Sequence, residues 1–352
     1  MGPTVLDRLG LYEHRVVMHV HSRYSDGSGE PQRIVEEAQR AGVDVLWLTD
    51  HDTRRALEVP GAGYYGHLLL LVGAEITPPT NHYLALGQIR LIAPTESLQT
   101  VIDHVAAEGG LGFIAHPDDP GNRTARLPSY RWTDRGVDGF AGLEIWNHLS
   151  DWSRSVTSIP AGLMALRRPH RRLSANPKTL ALWDALGQAR RVVGIGGADA
   201  HAAVIGKWPL RLTIFPYRTS FKGIRTHVYT ENPLPANWLE AETLLMDAMA
   251  RGRVAVVNAG VGEELGFRLW AEHPHEPLVA IGGEACWNQG YRVKGLAPVP
   301  VRWEIWHDGQ LTGRMEGTLC DWPVAAPGVW RVVLRRGRAD EVWIYSNPIY
   351  MR

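Results

Sequence analysis

The chain is poor in cysteine, which limits the metal sites and cross-links that it can form. Cys286 and Cys320 are its two cysteines among 352 residues, and they do not form a CxxC pair. A zinc site built from thiolates is therefore excluded, and at most one disulfide could form. We expect two free, buried thiols in a reducing compartment.

The chain also lacks an excess of charge and long apolar runs. Lysine and arginine together number 37, as do aspartate and glutamate, so the formal net charge is zero. This balance does not favour a membrane surface or nucleic acid as a partner. No segment reaches the ~18 apolar residues of a membrane span, and residues 1–15 lack the apolar core of a signal peptide. We expect a cytoplasmic protein with a small-molecule substrate, and nucleic acid only as a small nucleotide-type substrate.

The first two-thirds of the chain alternates between segments that predict strands and segments that predict helices. Apolar runs predict buried strands, and amphipathic segments, one opened by Pro31 and another stopped by Gly109-Gly110, predict helices. The predicted strands lie at 16–20, 43–49, 68–74, 83–92, 111–115, 141–146 and 192–197. Strands that alternate with helices indicate parallel β/α units, and about seven units favour a closed barrel over residues 1–259.

The pattern changes beyond residue 260. Helical periodicity disappears, and short strand-like runs appear near 266–270, 301–307, 329–334 and 342–346, separated by turns rich in glycine and proline. This pattern predicts a small C-terminal antiparallel β-sandwich over residues 260–352. The fold class is therefore α/β, in two domains.

Histidine and carboxylate residues follow nearly every predicted strand of the barrel. The strand ends and adjoining loops carry His19, His21, Asp26, His51, Glu75, His82, His116, Asp199 and His201. In a strand, two residues separated by one point to the same face, so the HxH and DxH pairs each present two side chains together. Because the site of a β/α barrel lies at the carboxyl ends of its strands, we expect these residues to converge.

Imidazole and carboxylate ligands without thiolate suit zinc, manganese or iron. Nine candidate ligands are too many for one tetrahedral ion, so the pattern predicts two or three divalent metal ions. A carboxylate such as Glu75 can bridge two of them. Bridged ions lower the pKa of a shared water, which makes hydroxide available for hydrolysis at neutral pH.

Five segments match a known family in motif order. The segments HVHSRYSDGSGEP, AGVDVLWLTDHD, GAEIT, FIAHP and GGADAH resemble the polymerase-and-histidinol-phosphatase (PHP) superfamily across about residues 12–258. Later segments, including GLEIWN and IYSNPIYM, resemble its carbaryl-hydrolase-like branch, which pairs a PHP barrel with a C-terminal β-domain. The resemblance implies a distorted (β/α)7 barrel with up to three metals.

The resemblance also implies which residues share each metal. One ion would take His19, His21, Glu75 and Asp199. The second would share Glu75 and add His82 and His116. The third would take Asp26, His51 and His201. Each of these residues occupies a motif position of this chain.

Roles in catalysis and substrate binding are predicted for a few further residues. Asp52, which follows His51, could shuttle a proton, and Glu144 could act in the site directly or orient a histidine. The basic run that contains Arg167, Arg168 and Arg171 lies between the sixth and seventh strands, and its arginines could hold a phosphate, although a solvated loop explains the run as well.

The predicted activity is that of a metal-dependent phosphoesterase. The superfamily implies this reaction, and the arginine run favours it. Two alternatives remain open. The carbaryl-hydrolase-like branch implies hydrolysis of a carbamate, ester or amide. A non-catalytic binding module would instead use tryptophans exposed on one face of the C-terminal sheet, with the barrel as a metal-stabilised scaffold.

Overall fold

A computed structural model describes residues 9–78, 80–93, 95–122, 128–170, 173–206, 212–263, 265–337 and 339–352. The described helices longer than one turn are α1 (Pro31–Arg40), α2 (Leu98–Ala107), α3 (His148–Ser155), α4 (Ile159–Arg167), α5 (Pro177–Ala189), α6 (Tyr217–Ser220) and α7 (Trp238–Ala250). A short 3₁₀ turn covers Arg55–Leu57. Among the described residues, no helix is long and apolar enough to cross a membrane.

The first strands form one end of a large sheet. They are β1 (Tyr12–Val17), β2 (Val45–Leu48), β3 (Gly63–Tyr65) and β4 (Leu68–Val72). Strand β2 pairs in parallel with both β1 and β4, and β3 is an antiparallel edge strand. Helix α1 connects β1 to β2, with Pro31 at its start and Ile34, Val35 and Ala38 buried on one face.

A second sheet contains the next five strands in chain order. They are β5 (Ala74–Ile76), β6 (Tyr83–Leu86), β7 (Leu111–Ile114), β8 (Gly142–Asn147) and β9 (Val193–Gly197). Strands β7, β8 and β9 run parallel, as predicted, but β6 runs antiparallel to β5 and β7. Uniformly parallel β/α units were therefore the wrong prediction here.

The two sheets meet at the residues that follow their strands. Gly73 separates β4 from β5, and a parallel bridge joins His51 to Glu75. On the other side, Val20 forms a parallel bridge to Ala200. These two bridges bring the ends of β1, β2, β5 and β9 together, and the candidate ligands lie at those ends.

The large sheet continues into the C-terminal part of the chain. Strands β12 (Ile224–Thr230) and β13 (Val254–Asn258) are antiparallel, and β13 pairs with β20. A short pair, β10 (Val204–Ile205) and β11 (Leu212–Thr213), lies apart. The fold is thus mixed α/β with one large sheet, which does not end at residue 259. The division into residues 1–259 and 260–352 stays a prediction.

The C-terminal strands are mostly antiparallel and enclose a hydrophobic core that also includes side chains of β12 and β13. They are β14 (Arg268–His273), β15 (Glu276–Ala280), β16 (Glu284–Ala285), β17 (Arg292–His307), β18 (Gln310–Pro323), β19 (Gly328–Arg336), β20 (Glu341–Ser346) and β21 (Ile349–Met351). Trp303, Trp330 and Trp343 are buried in this core, which favours a structural role for them. Both cysteines are free, but Cys286 is exposed, so only Cys320 is the buried thiol that we expected.

Candidate metal centre

Glu75 lies at the centre of a buried group of histidines. Its side chain is 1% exposed. Five imidazole nitrogens lie 3.0 to 3.3 Å from its two oxygens, namely Nε2 of His19, Nε2 of His21 and Nδ1 of His51 at Oε2, and Nδ1 of His82 and Nε2 of His116 at Oε1. One carboxylate thus connects two sets of imidazoles, which is the arrangement of a bridging ligand.

Two further carboxylates complete the centre. Oδ1 of Asp199 lies 3.5 Å from Nε2 of His19, 3.6 Å from Nε2 of His21 and 3.5 Å from Nδ1 of His201. Oδ1 of Asp26 lies 3.2 Å from Nε2 of His201, 3.5 Å from Nε2 of His51 and 3.7 Å from Nδ1 of His21. All nine residues that the sequence nominated as ligands therefore come together.

The donor atoms have the spacing that metal coordination requires. Two ligands bound tetrahedrally at ~2.1 Å from one zinc ion lie about 3.4 Å apart. Four groups have donor atoms within 4.8 Å of one another, namely His21, Asp26, His51 and His201; His19, His21 and Glu75; His19, His116 and Asp199; and Glu75, His82 and His116. Asp199 thus groups with His19 and His116, and His21 also joins the Asp26 group. The assignment of ligands to individual metals stays a prediction.

Buried imidazole nitrogens without hydrogen bonds support the fit to metal ions. Both ring nitrogens of His21 and Nδ1 of His51 are buried and make no hydrogen bond to any described residue. A buried polar atom left unpaired costs about 1–3 kcal/mol. Coordination of a divalent ion satisfies such nitrogens, so the residues present fit a cluster of such ions.

The backbone turns sharply where the strands deliver ligands. His19, His116 and Asp199 have φ angles of 60°, 28° and 48°, which is the left-handed region. Each such residue costs of order 1–3 kcal/mol. We predicted that alternation along a strand places His19 and His21 on one face. This was wrong, because strand β1 ends at Val17, before both residues. Instead, the backbone leaves the strand and turns at His19 itself, which has the left-handed φ angle.

Glu144 lies behind the histidines and holds them in place. Its Oε1 accepts a hydrogen bond from Nδ1 of His19 at 2.8 Å, and its Oε2 accepts from the backbone N–H of His116 at 2.7 Å and from Nδ2 of Asn147 at 2.9 Å. A Cβ at Gly197 would lie 1.6 Å from Oε1 of Glu144, so this position in the GGADAH motif requires glycine. The geometry favours an orienting role for Glu144 over direct catalysis.

The structure places Asp52 at the edge of the centre. Its side chain accepts hydrogen bonds from the backbone N–H and the hydroxyl of Thr77, and its own N–H donates to the carbonyl of Glu75 at 2.9 Å. Asp52 is exposed and is absent from the wall of the cavity described below. These contacts favour a role in fastening β5, and the proton-shuttle role stays a prediction.

The arginine run does not contribute its described arginines to the cavity. Arg167 ends α4 and Arg168 follows it, and both side chains are exposed and outside the cavity wall. Arg171 lies outside the described residues. Pro169 accepts a hydrogen bond at its carbonyl from Nε2 of His148, 3.1 Å away, and His148 does line the cavity. Substrate binding by these arginines stays a prediction.

A cavity of about 490 Å³ opens onto the centre. Asp26, His51, Glu75, His82, His116, Asp199 and His201 form its polar wall. The opposite wall is largely apolar and includes Leu149, Trp152, Ile214 and Phe215. Tyr130 and Asp119 also line the cavity, and the sequence reasoning missed both because they lie in loops between strands; the DD pair after the FIAHP motif was the one available signal for Asp119.

Burial and mutual charge shift the pKa values of the centre. Burial lowers the pKa of His19, but the carboxylates of Glu144, Asp199 and Glu75 outweigh it, and the pKa is raised well above its usual range. Burial also lowers the pKa of His201. The carboxylates of Asp26 and Asp199 outweigh this effect and raise the pKa to about 9. Burial and the charge of His201 lower the pKa of His21 to about 4. Because metal ligands must be deprotonated, metal binding here displaces protons.

Comparison with known proteins finds relatives that match only part of this chain. The chain is 26% identical over 115 residues to an uncharacterized protein of Methanocaldococcus jannaschii, a match that covers 29% of this chain and 67% of that protein. It is 30% identical over 146 residues to the error-prone DNA polymerase of Nocardia farcinica, a match that covers 36% of this chain but 11% of the polymerase. No family model matches the chain.

Error-prone DNA polymerases carry PHP domains, and the five PHP motifs of this chain supply the residues that surround Glu75. The chain thus resembles the PHP superfamily in these motifs and in the residues that they bring together around Glu75. A crystal structure of a two-domain protein from Bacteroides vulgatus, which contains a predicted PHP-like metal-dependent phosphoesterase, covers 96% of both chains with a TM-score of 0.46 and 16% identity. Membership of the carbaryl-hydrolase-like branch within the PHP superfamily stays a prediction.

Proposed function

We propose that this protein is a metal-dependent phosphoesterase of the PHP type. The observation that carries the proposal is the convergence of five imidazoles on the buried carboxylate of Glu75, beside a cavity large enough for a small molecule. When bound, two or three divalent ions such as zinc, manganese or iron supply Lewis acidity that activates water and polarises the ester.

The residues of the chain have distinct parts in this proposal. Glu75 bridges the ligand groups, with His19 and His21 at one oxygen and His82 and His116 at the other. Glu144 fixes the ring of His19 through a 2.8 Å hydrogen bond. Leu149, Trp152 and Phe215 also line the cavity, and an apolar wall strengthens the electrostatic interactions beside it.

One observation favours a second candidate function. The described residues that line the cavity include no lysine or arginine, whereas Leu149, Trp152 and Phe215 provide apolar contact area. Such a wall suits an uncharged ester, carbamate or amide with a bulky apolar group better than a small phosphate monoester. In the phosphoester case, the charge of the phosphate would be balanced by the metal ions rather than by cationic side chains.

Hydrolysis of a matched set of esters separates the two reactions. The set contains 4-nitrophenyl phosphate, bis(4-nitrophenyl) phosphate, 4-nitrophenyl acetate and 1-naphthyl N-methylcarbamate. We expect turnover of a phosphate ester, its loss after chelation and its recovery when divalent metal is restored. Turnover of the carbamate or acetate alone would contradict the phosphoesterase. No turnover by fully metal-loaded protein would contradict hydrolysis of this class of ester altogether.

A further inference from the structure

Tyr130 lies against two histidines of the candidate centre. The centroid of its ring is 4.7 Å from that of His82 and 6.3 Å from that of His116. Both histidines contact Oε1 of Glu75. Tyr130 also lines the cavity, so its aromatic ring stands at the border between the ligands and the space that a substrate would occupy.

Three contacts hold the segment around Tyr130 in this position. The hydroxyl of Ser129 donates a hydrogen bond to the carbonyl of Asp119 at 2.8 Å, and the N–H of Trp132 donates to the carbonyl of Pro117 at 2.9 Å. Trp132 is itself buried in the core. The tyrosine is therefore fixed to the loop that follows His116.

Asn81 fastens the same segment from the other side. Its Oδ1 accepts hydrogen bonds from the N–H of Thr133 at 2.5 Å and from the N–H of Asp134 at 3.1 Å. Asn81 directly precedes His82 and has a left-handed φ of 64°. Because its segment is fastened beside both His82 and His116, Tyr130 should lose less conformational entropy on contact with a ligand than a residue of an unfastened loop.

The Tyr130 hydroxyl lines the cavity and has no hydrogen-bond partner among the described residues, whereas several other polar groups of the wall are already paired. The hydroxyls of Ser153 and Ser220 donate to backbone carbonyls, and His148 contacts the carbonyl of Pro169. The hydroxyl of Ser150 and the indole N–H of Trp152 are buried and likewise have no hydrogen-bond partner among the described residues. The phenol of Tyr130 is free to donate to a bound molecule.

We propose that Tyr130 is a substrate-binding residue whose hydroxyl donates a hydrogen bond to an oxygen of the ester at the Glu75–His82–His116 end of the cavity. This inference rests on the proposed function. The hydrogen bond orients the ester relative to these ligands, and it suits a phosphoryl or a carbonyl oxygen alike. Tyr130 thus provides polar recognition in a cavity whose described wall contains no lysine or arginine.

The Tyr130→Phe variant removes the hydroxyl and keeps the ring. A neutral hydrogen bond contributes about 0.5–1.5 kcal/mol, and ~1.4 kcal/mol corresponds to a tenfold change, so we expect kcat/KM for the best ester to fall about 2- to 13-fold. Metal per chain should equal that of the wild type. The matched control is Tyr64→Phe, which removes a hydroxyl that donates to the carbonyl of Pro235 away from the centre, and it should leave kcat/KM unchanged.

A binding measurement separates this inference from the proposed function. Calorimetric titration of metal-loaded protein with inorganic phosphate and with acetate measures recognition of an oxyanion without turnover. We expect Tyr130→Phe to weaken the binding of at least one of them several-fold, even if the wild type hydrolyses no ester of the set. Equal kinetics and equal binding in the wild type and Tyr130→Phe would overturn the role of Tyr130. A loss of metal in Tyr130→Phe would also overturn it, since that result would assign the hydroxyl to the metal centre.

Discussion

Two buried polar networks of this protein, one around Glu75 and one around Asn347, differ in how many of their polar atoms have hydrogen-bond partners. Around Glu75, imidazoles and carboxylates lie close together, and neither ring nitrogen of His21 makes a hydrogen bond within the part of the chain that the structure describes. Where the C-terminal strands meet the first part of the chain, Asn347 bonds to the N–H and carbonyl of Gly194 and to the carbonyl of Val254. A network whose polar atoms lack hydrogen-bond partners is suited to bind a ligand. A network whose polar atoms are all hydrogen-bonded stabilises the fold.

The junction also contains a buried ion pair with matched geometry. Arg331 donates two hydrogen bonds of 2.7 Å to the two carboxylate oxygens of Asp184. Its guanidinium also lies over the rings of Trp183 and Trp306. In the centre, by contrast, His19, His116 and Asp199 adopt left-handed backbone angles. Strain is thus found at the ligands, where binding can compensate for it.

Glu75→Gln should have the largest effect, because it removes the central charge while keeping the shape of the side chain. Lewis acidity contributes several kcal/mol to catalysis, so loss of the metals should lower kcat/KM by about 10³-fold or more. Elemental analysis and ester kinetics measure both effects. Glu242→Gln is the matched control, since Glu242 is equally buried but bonds to Gln88 far from the centre. A Glu75→Gln protein with a full metal load and full activity would contradict the bridging role.

Asp184→Asn should show the opposite pattern at the junction. Breaking a buried ion pair costs about 3–5 kcal/mol, so the free energy of unfolding in urea should fall by that amount while metal per chain is unchanged. Replacing both partners, as in Asp184→Leu with Arg331→Met, should recover much of the loss. If Asp184→Asn lost metal but kept its stability, the contrast between the two networks would be wrong.

Glu144→Gln should have an intermediate effect on the centre. Loss of a group that orients a ligand weakens metal affinity about 10–100-fold. Glu144 orients His19 through Nδ1 and also binds the N–H of His116, so affinity should fall while the fold is kept. A titration with zinc in the presence of a competing chelator measures the change. Unaltered affinity would show that His19 needs no support from Glu144.

The smallest expected effect concerns the dependence of stability on pH at Glu13. Burial alone raises the pKa of Glu13, but His227 and Arg268 outweigh it, and the pKa is lowered from its usual 4.5. A lowered pKa contributes stability that is present above about 4.5 and is lost as pH falls through the folded-state pKa. The difference in unfolding free energy between the wild type and Glu13→Gln should therefore shrink as pH falls from about 4.5 through the folded-state pKa of Glu13. A constant difference from pH 7 to pH 3 would contradict this.

The sequence predicted which residues come together at the centre better than it predicted the path of the strands. Each candidate ligand belongs to a short motif near a strand end, and parallel strands bring such ends together. The direction of β6 was missed, although the connection from Ile76 to Tyr83 is too short for a parallel crossover, which takes about a dozen residues. The pairing of β13 with β20 joins segments that are distant in the chain, and no local pattern encodes it.

The side chains that complete the cavity were also beyond local patterns. Tyr130 reaches the centre because Asn81 and the loop after His116 hold its segment, and Trp152 and Phe215 pack against each other from separate segments. None of these residues belongs to a recognisable motif. The arginine run, by contrast, had a clear pattern, yet the exposed Arg167 and Arg168 do not line the cavity. A run of basic residues in the sequence indicates positive charge, but it does not indicate where the side chains lie in the fold.

The central claim is that the network around Glu75 is a metal centre, and metal content tests it most directly. Elemental analysis of the purified protein, with metal counted per chain and ester hydrolysis measured on the same sample, is the decisive measurement. The account predicts two or three divalent ions per wild-type chain, and loss of both the metal and the activity in Glu75→Gln. A wild-type protein that is fully active with close to no metal would contradict the account.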